Sequence, residues 1–465
     1  MNLAELGFTA AMVLAGAAAA AGLAGFRRCA CAGTSLSGVA GVVAGVAAAG
    51  GREFSVRLPD LLPLTGVSLS LDPLGGLFVA VTGGVAAAAG LYGAGYSHHG
   101  RITQAMVPLF VAAMLLVPVA SGVGTFLLCW ELMAVASLAL VLAEHRQRPE
   151  VAPAGRWYAV MTHLGLVPIL IGLMAFVARA GDSFAQLRDA QLSGPVASVI
   201  FVATFAGFAS KAGIVPLHAW LPRAHPEAPS HVSALMSAAM VNLGVYGVIR
   251  VGLDLLGGGQ RWWWLLVLVT GAVSAVYGIL QAAMSADLKV LLAYSTTENM
   301  GLVLIGVGAA GMFATSGHPV LAGLALAAAV LHIVSHAAFK ALLFLAAGSV
   351  VHSTGTRDLD ALGGLRRAMP ATTAAFGLGA LGASALPLGA AFISEWLLLQ
   401  ALVHGLAAGG TLTAIVMPVA VATVALTAGL AVATFVKAFG VGFLARPRSG
   451  SAEEAPEGSP AMLAG

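Results

Sequence analysis

Almost from end to end, the chain is written in uncharged apolar runs of helix length separated by short polar stretches. About 20 consecutive apolar residues suffice for an α-helix to cross the roughly 30 Å hydrocarbon core of a bilayer. About thirteen such runs lie between residues 4 and 440, by that length criterion. Only 9% of the 465 residues are charged and 59% are hydrophobic, whereas soluble domains carry about 25% charged residues. Lipid is the solvent that suits this composition, and within lipid each spanning element must satisfy its own backbone polar groups. A β-barrel would need alternating segments of about ten residues, and that pattern is absent. The sequence therefore predicts an all-α polytopic membrane protein of about 13–14 transmembrane helices. Its 59 glycines and alanine-rich stretches suit helices that approach closely, because packing drives helix association in a bilayer.

Several function classes fall away. A chain of this composition cannot work as a soluble enzyme. The net charge of +3 comes from loops and is too small to imply a nucleic-acid partner. Cys29, Cys31 and Cys129 suggest neither a disulfide framework nor a metal site, and no cofactor fingerprint is visible, so no cofactor is expected. The first apolar run lacks a clear cleavage site and reads as a retained helix. Phe54 to Leu74 alternates apolar and polar residues and holds Pro59, Pro63 and Pro73; it reads as an extracytoplasmic loop with some extended structure.

Loop charges set the expected orientation. With the N-terminus outside, the inside loops hold Arg27, Arg28, Arg101, Arg146, Arg148, Arg156, Arg223, Lys289, Arg357, Arg366, Arg367, Arg446 and Arg448. The outside loops hold Arg52, Arg57, Arg179, Arg188, Arg250 and Arg261. The bias favours an outside N-terminus. After Arg448 comes a polar stretch with Glu453, Glu454 and Glu457. The chain then stops at Ala461 to Gly465 in what reads as the opening of a further apolar segment, as a truncated form of a longer protein would.

Ionisable side chains inside the apolar runs carry the functional signal, since each costs about 2.5 to 3.5 kcal/mol or more at mid-bilayer. They are Glu131 in the fifth run, Lys211 in the seventh, Glu298 in the tenth, His332, His336 and Lys340 in the eleventh, Glu395 in the twelfth and Lys437 in the thirteenth. The i, i+4, i+8 spacing of His332, His336 and Lys340 places them on one helix face. A buried Glu–Lys pair can simply lock two helices together, a lone histidine can be a packing residue, and Lys437 can snorkel to the inner surface. His218, His225 and His231 flank a proline-rich loop and fit an interfacial role as well as a functional one. As a set, carboxylate, lysine and imidazole are the groups whose affinity for protons burial and neighbours can tune. No carboxylate cluster suits a metal.

Two runs are broken in corresponding positions. The seventh carries Lys211 and runs into Pro216, Pro222, Pro226 and Pro229; the twelfth, over 371–404, carries Pro387 and Glu395. Broken helices five apart point to an inverted-repeat transporter. The expected organisation is N-terminal transmembrane helices with the extracytoplasmic loop over 1–103, a first five-helix repeat over 104–252, a second over 262–440, and a cytoplasmic tail over 441–465.

The stretch Lys211-Ala-Gly-Ile-Val-Pro-Leu-His-Ala-Trp-Leu-Pro-Arg-Ala-His-Pro-Glu-Ala-Pro-Ser230 resembles the signature of the antiporter-like subunits of NADH dehydrogenase, cation/proton antiporters and membrane-bound hydrogenases. Ser335 to Leu345 resembles the family's eleventh helix, and the resemblance spans about residues 100 to 450. Ala293 to Gly301, Thr356 to Gly364, Phe392 to Trp396 and Val436 to Gly440 with Arg446 to Arg448 look most like the large antiporter-like subunit of hydrogenase-4 and formate hydrogenlyase. The resemblance implies a proton path through Glu131 paired with Lys211, then His332, His336 and Lys340, then Glu395. Close relatives usually carry a lysine where this chain has Asn242, which can hold water but not a proton; His231 or a water chain would substitute for it, or conduction would be lost, and His218 is counted with the path.

The resemblance thus implies a proton-translocating subunit of a hydrogenase-like or NADH dehydrogenase-like complex in a prokaryotic cytoplasmic membrane. Its partners would be other membrane subunits, lipid and protons, with redox chemistry left to those subunits. A cation/proton antiporter without redox coupling and a non-conducting membrane scaffold, for which Asn242 argues, are the alternatives.

Overall fold

The computed structural model describes residues 1–61, 66–96, 100–444 and 446–465. Pro63 of the predicted loop lies outside the described residues. Among these, thirteen helices are long and apolar enough to cross a membrane, so the expected all-helical membrane fold is the one observed. The first seven are α1 Leu3–Ala24, α2 Arg27–Ala49, α3 Pro73–Gly95, α4 Arg101–Leu116, α5 Val123–Val141, α6 Val151–Ala180 and α7 Gly194–Ala212. Then follow α8 Ser230–Leu255, α9 Arg261–Met284, α10 Leu288–Ala314 and α11 Pro319–Thr354. The broken run becomes α12 Pro370–Ala383, which at 14 residues is too short to count among the thirteen, and α13 Ala390–Gly405; α14 Thr411–Phe439 is the last of the spanning helices.

The chain divides into two compact units. One holds Met1–Phe208, Glu227–Gly247 and Ser459–Gly465; the other holds Ala209–Pro226 and Val248–Gly458. In the first, α2 packs against α1 and α3. Small residues set the distance between α2 and α3: a Cβ at Gly38 would lie 2.5 Å from the Ala87 backbone nitrogen, so only glycine allows that approach. Between α2 and α3 the strands β1 Phe54–Leu58 and β2 Val67–Leu71 form an antiparallel hairpin, with Phe54 opposite Leu71. Phe126 and Trp130 of α5 pack on Phe208 at the end of α7, with centroids 6.0 and 5.3 Å away.

In the second unit, α10 lies between α9 and α11, α11 packs on α12 and α13, and α14 packs on α9. Helix α10 is, with α13, among the less apolar of these spans, yet Leu288–Phe313 is buried almost without interruption. It therefore sits at the centre of the unit, and its Ser295, Glu298 and Asn299 face protein rather than lipid.

Candidate functional site

Broken helices create the site's geometry. Lys211 stands in the last turn of α7, and Gly213 then takes φ +74°, a left-handed conformation that glycine enters without a Cβ clash. The peptide between Val215 and Pro216 is cis. Two bonds fold the segment back: Trp220 Nε1 donates to the Ser210 carbonyl at 2.8 Å, and the Val215 amide donates to Ser274 Oγ at 3.0 Å. His218 packs edge-on against Tyr277 with centroids 4.9 Å apart. The short helix Leu221–Glu227 follows. Its His225 is fully buried against the Phe344 ring. Burial, then the charges of Lys289 and Lys340, push the His225 imidazole down to about 3, so the ring is neutral and acts as a packing group there.

Lys289, expected in an inside loop, is buried, and its Nζ approaches the Pro226 carbonyl at 3.5 Å. Arg357 donates to the same carbonyl at 2.7 Å and pairs with Asp287. Two cations thus meet the C-terminal end of Leu221–Glu227, the end that a helix dipole makes negative.

The central cluster lies wholly in the second unit. His332, His336, Lys340, Glu298 and Glu395 are each 6% exposed or less. Lys340 of α11 donates to the Leu292 carbonyl at 3.0 Å and to Ser295 Oγ, and stands 6.0 Å from the centroid of Phe435. Asn299, one turn beyond Ser295 on α10, donates Nδ2 to the Ser295 carbonyl at 2.6 Å and to the Glu298 carboxylate. Those two acceptors fix the amide's orientation, so Asn299 Oδ1 is the atom that faces His332 Nε2, at 3.0 Å. His332 Nδ1 meets Ser394 Oγ at 2.9 Å, and Ser394 also lies 2.8 Å from the Ala391 carbonyl. Glu395 follows Ser394 in α13 and is buried like Glu298. A line of polar contacts therefore runs from Lys340 through Ser295, Asn299 and His332 to Ser394, beside Glu395.

His332 has two hydrogen-bonding arrangements here. With Nε2–H donated to Asn299 Oδ1, a neutral ring uses Nδ1 as an acceptor and takes the Ser394 hydroxyl proton. A ring protonated on Nδ1 donates instead, and the Ser394 hydroxyl turns to the Ala391 carbonyl. Both states satisfy every partner. His336, on the same helix face, is completely buried with neither ring nitrogen hydrogen-bonded. The stripe of three therefore splits into two hydrogen-bonded members and one that packs edge-on against Phe339 at 5.5 Å.

Glu131 has a partner the sequence reading passed over. Its Oε1 lies 3.1 Å from His163 Nε2 of α6. His163 is an ionisable residue in an apolar run, and the rule that picked out Glu131 would have found it. Ser295, Asn299 and Ser394 carried no such signal, because neutral polar residues inside membrane helices commonly bond their own carbonyls. Asn242 does this: Nδ2 donates back to the Ala238 carbonyl at 2.8 Å, while buried Oδ1 has no partner. It follows a π-helical segment, Met236–Met240, within α8, whose apolar core is 100% buried. His231 stands at the start of α8, its ring 5.6 Å from that of Tyr96. Lys437 donates to the carbonyls of Ala283 and Ser285 at 2.6 and 2.8 Å, so it caps the C-terminal end of α9 rather than reaching for the surface. Among the described residues, no group of three histidine, cysteine or carboxylate side chains is placed to hold a metal ion.

Residues 120–427 match the model of the NADH:quinone oxidoreductase/Mrp antiporter transmembrane family. The chain belongs to that family. The match spans α5 to α14 and includes every member of the central cluster. Hydrogenase-4 component B of Escherichia coli K12 is 37% identical over 438 residues, which cover 91% of this chain and 65% of that protein. Formate hydrogenlyase subunit 3 of the same organism is 31% identical over 428 residues, covering 90% and 69%. A protein of uncharacterised function from Mycobacterium tuberculosis is 59% identical over 436 residues, covering 93% and 68%. The chain thus spans about two thirds of the length of these relatives. A chain in the structure of respiratory complex I from Thermus thermophilus with bound NADH superposes with TM-score 0.82 at 23% identity, covering 98% of this chain and 92% of that one. The expected membership, and the likeness to hydrogenase-4 and formate hydrogenlyase subunits, are borne out. The protein is a multi-pass, antiporter-like membrane subunit of the kind found in multi-subunit membrane complexes.

Proposed function

We propose that the protein translocates protons as the antiporter-like subunit of a hydrogenase-like or NADH dehydrogenase-like redox complex, with its N-terminus outside the cytoplasmic membrane. The observation that carries this reading is the buried line Lys340–Ser295–Asn299–His332–Ser394 beside Glu395. Ionisable groups at this depth are costly and face protein or water where they have a task. Each proton that arrives shifts the affinity of its neighbours, and His332 with Ser394 has a hydrogen-bonding arrangement ready for either protonation state. Glu131 and Lys211 would act earlier on the path, with His218, His231, Asn242 and His336 lining or bridging it. Catalytic redox groups would reside in partner subunits, as the relatives' names suggest. The arginine-rich ends of α2 and α4 and the loops after α5 and α11 would face the cytoplasm.

Asn242 favours the scaffold alternative, since it turns to its own helix where close relatives usually carry a lysine. The kept cluster in the second unit argues the other way. Purification of the complex from its native membrane, identification of co-migrating subunits and proton uptake by inside-out vesicles test the proposal together. Hydrogenase or dehydrogenase subunits with substrate-driven uptake support it. Antiporter subunits alone, with uptake driven only by a cation gradient, would replace it with exchange.

A further inference from the structure

Glu131 and His163 stand at mid-height of α5 and α6, in the first unit. His163 Nδ1 lies 2.8 Å from the Ala159 carbonyl of its own helix, and Nε2 lies 3.1 Å from Glu131 Oε1. A carbonyl oxygen only accepts, so Nδ1 carries a hydrogen. Nε2 then has two forms. In a neutral ring it is a lone pair, and Oε1 must bring the proton, as a carboxyl. In an imidazolium it is an N–H, and it donates to the ionised carboxylate. With no proton between them, two lone pairs would face each other at 3.1 Å and the pair would carry a net negative charge. With one proton more, it would carry a net positive charge. The side chains are 50% exposed for His163 and 33% for Glu131, on helices long and apolar enough to span a membrane, where an uncompensated charge is costly. The arrangement is therefore satisfied by one shared proton and zero net charge.

We propose that His163 carries a proton of the translocation path, exchanged between its Nε2 and Glu131 Oε1. The inference rests on the proposed translocation and adds to it a member that the family resemblance did not supply. In the exchange the Nε2–H bond breaks as the Oε1–H bond forms, the charge of both partners is cancelled, and neither helix has to move. Glu131 thereby alternates between carboxylate and neutral carboxyl. Its other oxygen, Oε2, is buried and has no hydrogen-bond partner among the described residues, which leaves it free for the next group on the path. A histidine kept for packing is enclosed, as His225 is; half of the His163 side chain lies outside the protein. The helices packed on α5 and α6 carry most of their other charges at their ends. Arg101 opens α4, Arg179 closes α6, and Arg188 of the short helix Phe184–Arg188 pairs with Asp72. Arg156 stands two turns before His163 on α6, about 10 Å along the helix axis. Cys129 and Tyr158 are buried, and the Tyr158 hydroxyl meets Ser137 Oγ at 2.6 Å. Lys211, the partner that the proposed path gives Glu131, stands in the last turn of α7 and belongs to the other unit.

A substitution in the full complex separates a proton carrier from a tie between helices. His163→Gln keeps an N–H to donate to Glu131 but cannot take up a proton. Because the ring is half exposed, its replacement opens no buried cavity, and assembly and melting temperature should match those of the native complex. His163→Ser, read in the same way, stands in if His163→Gln does not assemble. Substrate-driven proton uptake by inside-out vesicles should fall several-fold in His163→Gln. Infrared spectra of the purified complex, recorded across pH, give a second readout. Glu131→Gln identifies the Glu131 carboxyl band by its loss, and the pH at which that band appears should differ between native and His163→Gln complexes. Native uptake in His163→Gln, or a Glu131 band that titrates identically with and without the imidazole, overturns the proposal. If uptake is native in His163→Gln yet lost in Lys340→Ala, the translocation reading stands and His163 only ties α6 to α5. If the native complex takes up no protons, translocation falls, and the role of His163 on its path falls with it.

Discussion

At the scale of single residues, the account turns on how His332 is held. Ser394 offers Oγ to Nδ1 and can turn its proton either to that nitrogen or to the Ala391 carbonyl. Ser394→Ala removes the acceptor that the protonated ring needs, and uptake should fall about tenfold, the equivalent of about 1.4 kcal/mol in a barrier; Ser394→Thr, which keeps the hydroxyl, should be close to native. Uptake by vesicles at matched assembly reads both. Asn242 is the second case. Its carboxamide leaves room for water, so Asn242→Lys should change uptake little; a large gain would favour the scaffold reading of the native subunit. The ionisable members of the site were legible because a charge inside an apolar run stands out by its cost. Their neutral connectors were not: Asn299 and Ser394 look like dozens of other serines, threonines and asparagines until the tertiary structure brings α10, α11 and α13 together. The stripe on α11 was legible as one face, but which of its members finds a partner is a matter of what α10 and α13 present to it.

Among elements, the breaks matter more than the spans. Pro216 marked the end of the seventh run, but the helix stops earlier, at Ala212, because Gly213 takes the left-handed turn. The run over 371–404 separates into α12 and α13 around Pro387, as its length and proline suggested. The π-helical segments Met236–Met240 and Ile249–Leu255 were invisible in the sequence, because wider helical turns answer to packing and side-chain contacts and have no residue signature of their own. Lys437 shows the limit of reading charge by depth alone. It was open to a snorkelling role, whereas its ammonium caps α9. Lys437→Ala would remove that donor from the part-exposed Ala283 and Ser285 carbonyls, at a cost of about 0.5–1.5 kcal/mol, the net worth of an ordinary hydrogen bond. The detergent-solubilised complex should therefore melt at lower temperature, measured by a thermal-shift assay, while vesicles below that temperature pump as the native ones do.

For the whole molecule, helix count and class followed from apolar run length, and family membership from the Lys211–Ser230 signature. Sidedness rests on the distribution of arginine and lysine. Ser353, in the last turn of α11, lies at the end assigned to the cytoplasm and donates to the Pro456 carbonyl at 2.7 Å. On a background without Cys29 and Cys31, Ser353→Cys should resist an impermeant thiol reagent in right-side-out vesicles and react in inside-out ones; the opposite pattern would invert the orientation. The central claim is that buried side chains of the second unit carry protons across the membrane. Its most direct test is substrate-driven proton uptake by inside-out vesicles holding equal amounts of assembled native and Lys340→Ala complex. Uptake should be abolished by Lys340→Ala with the complex intact; native rates in that variant would contradict the account.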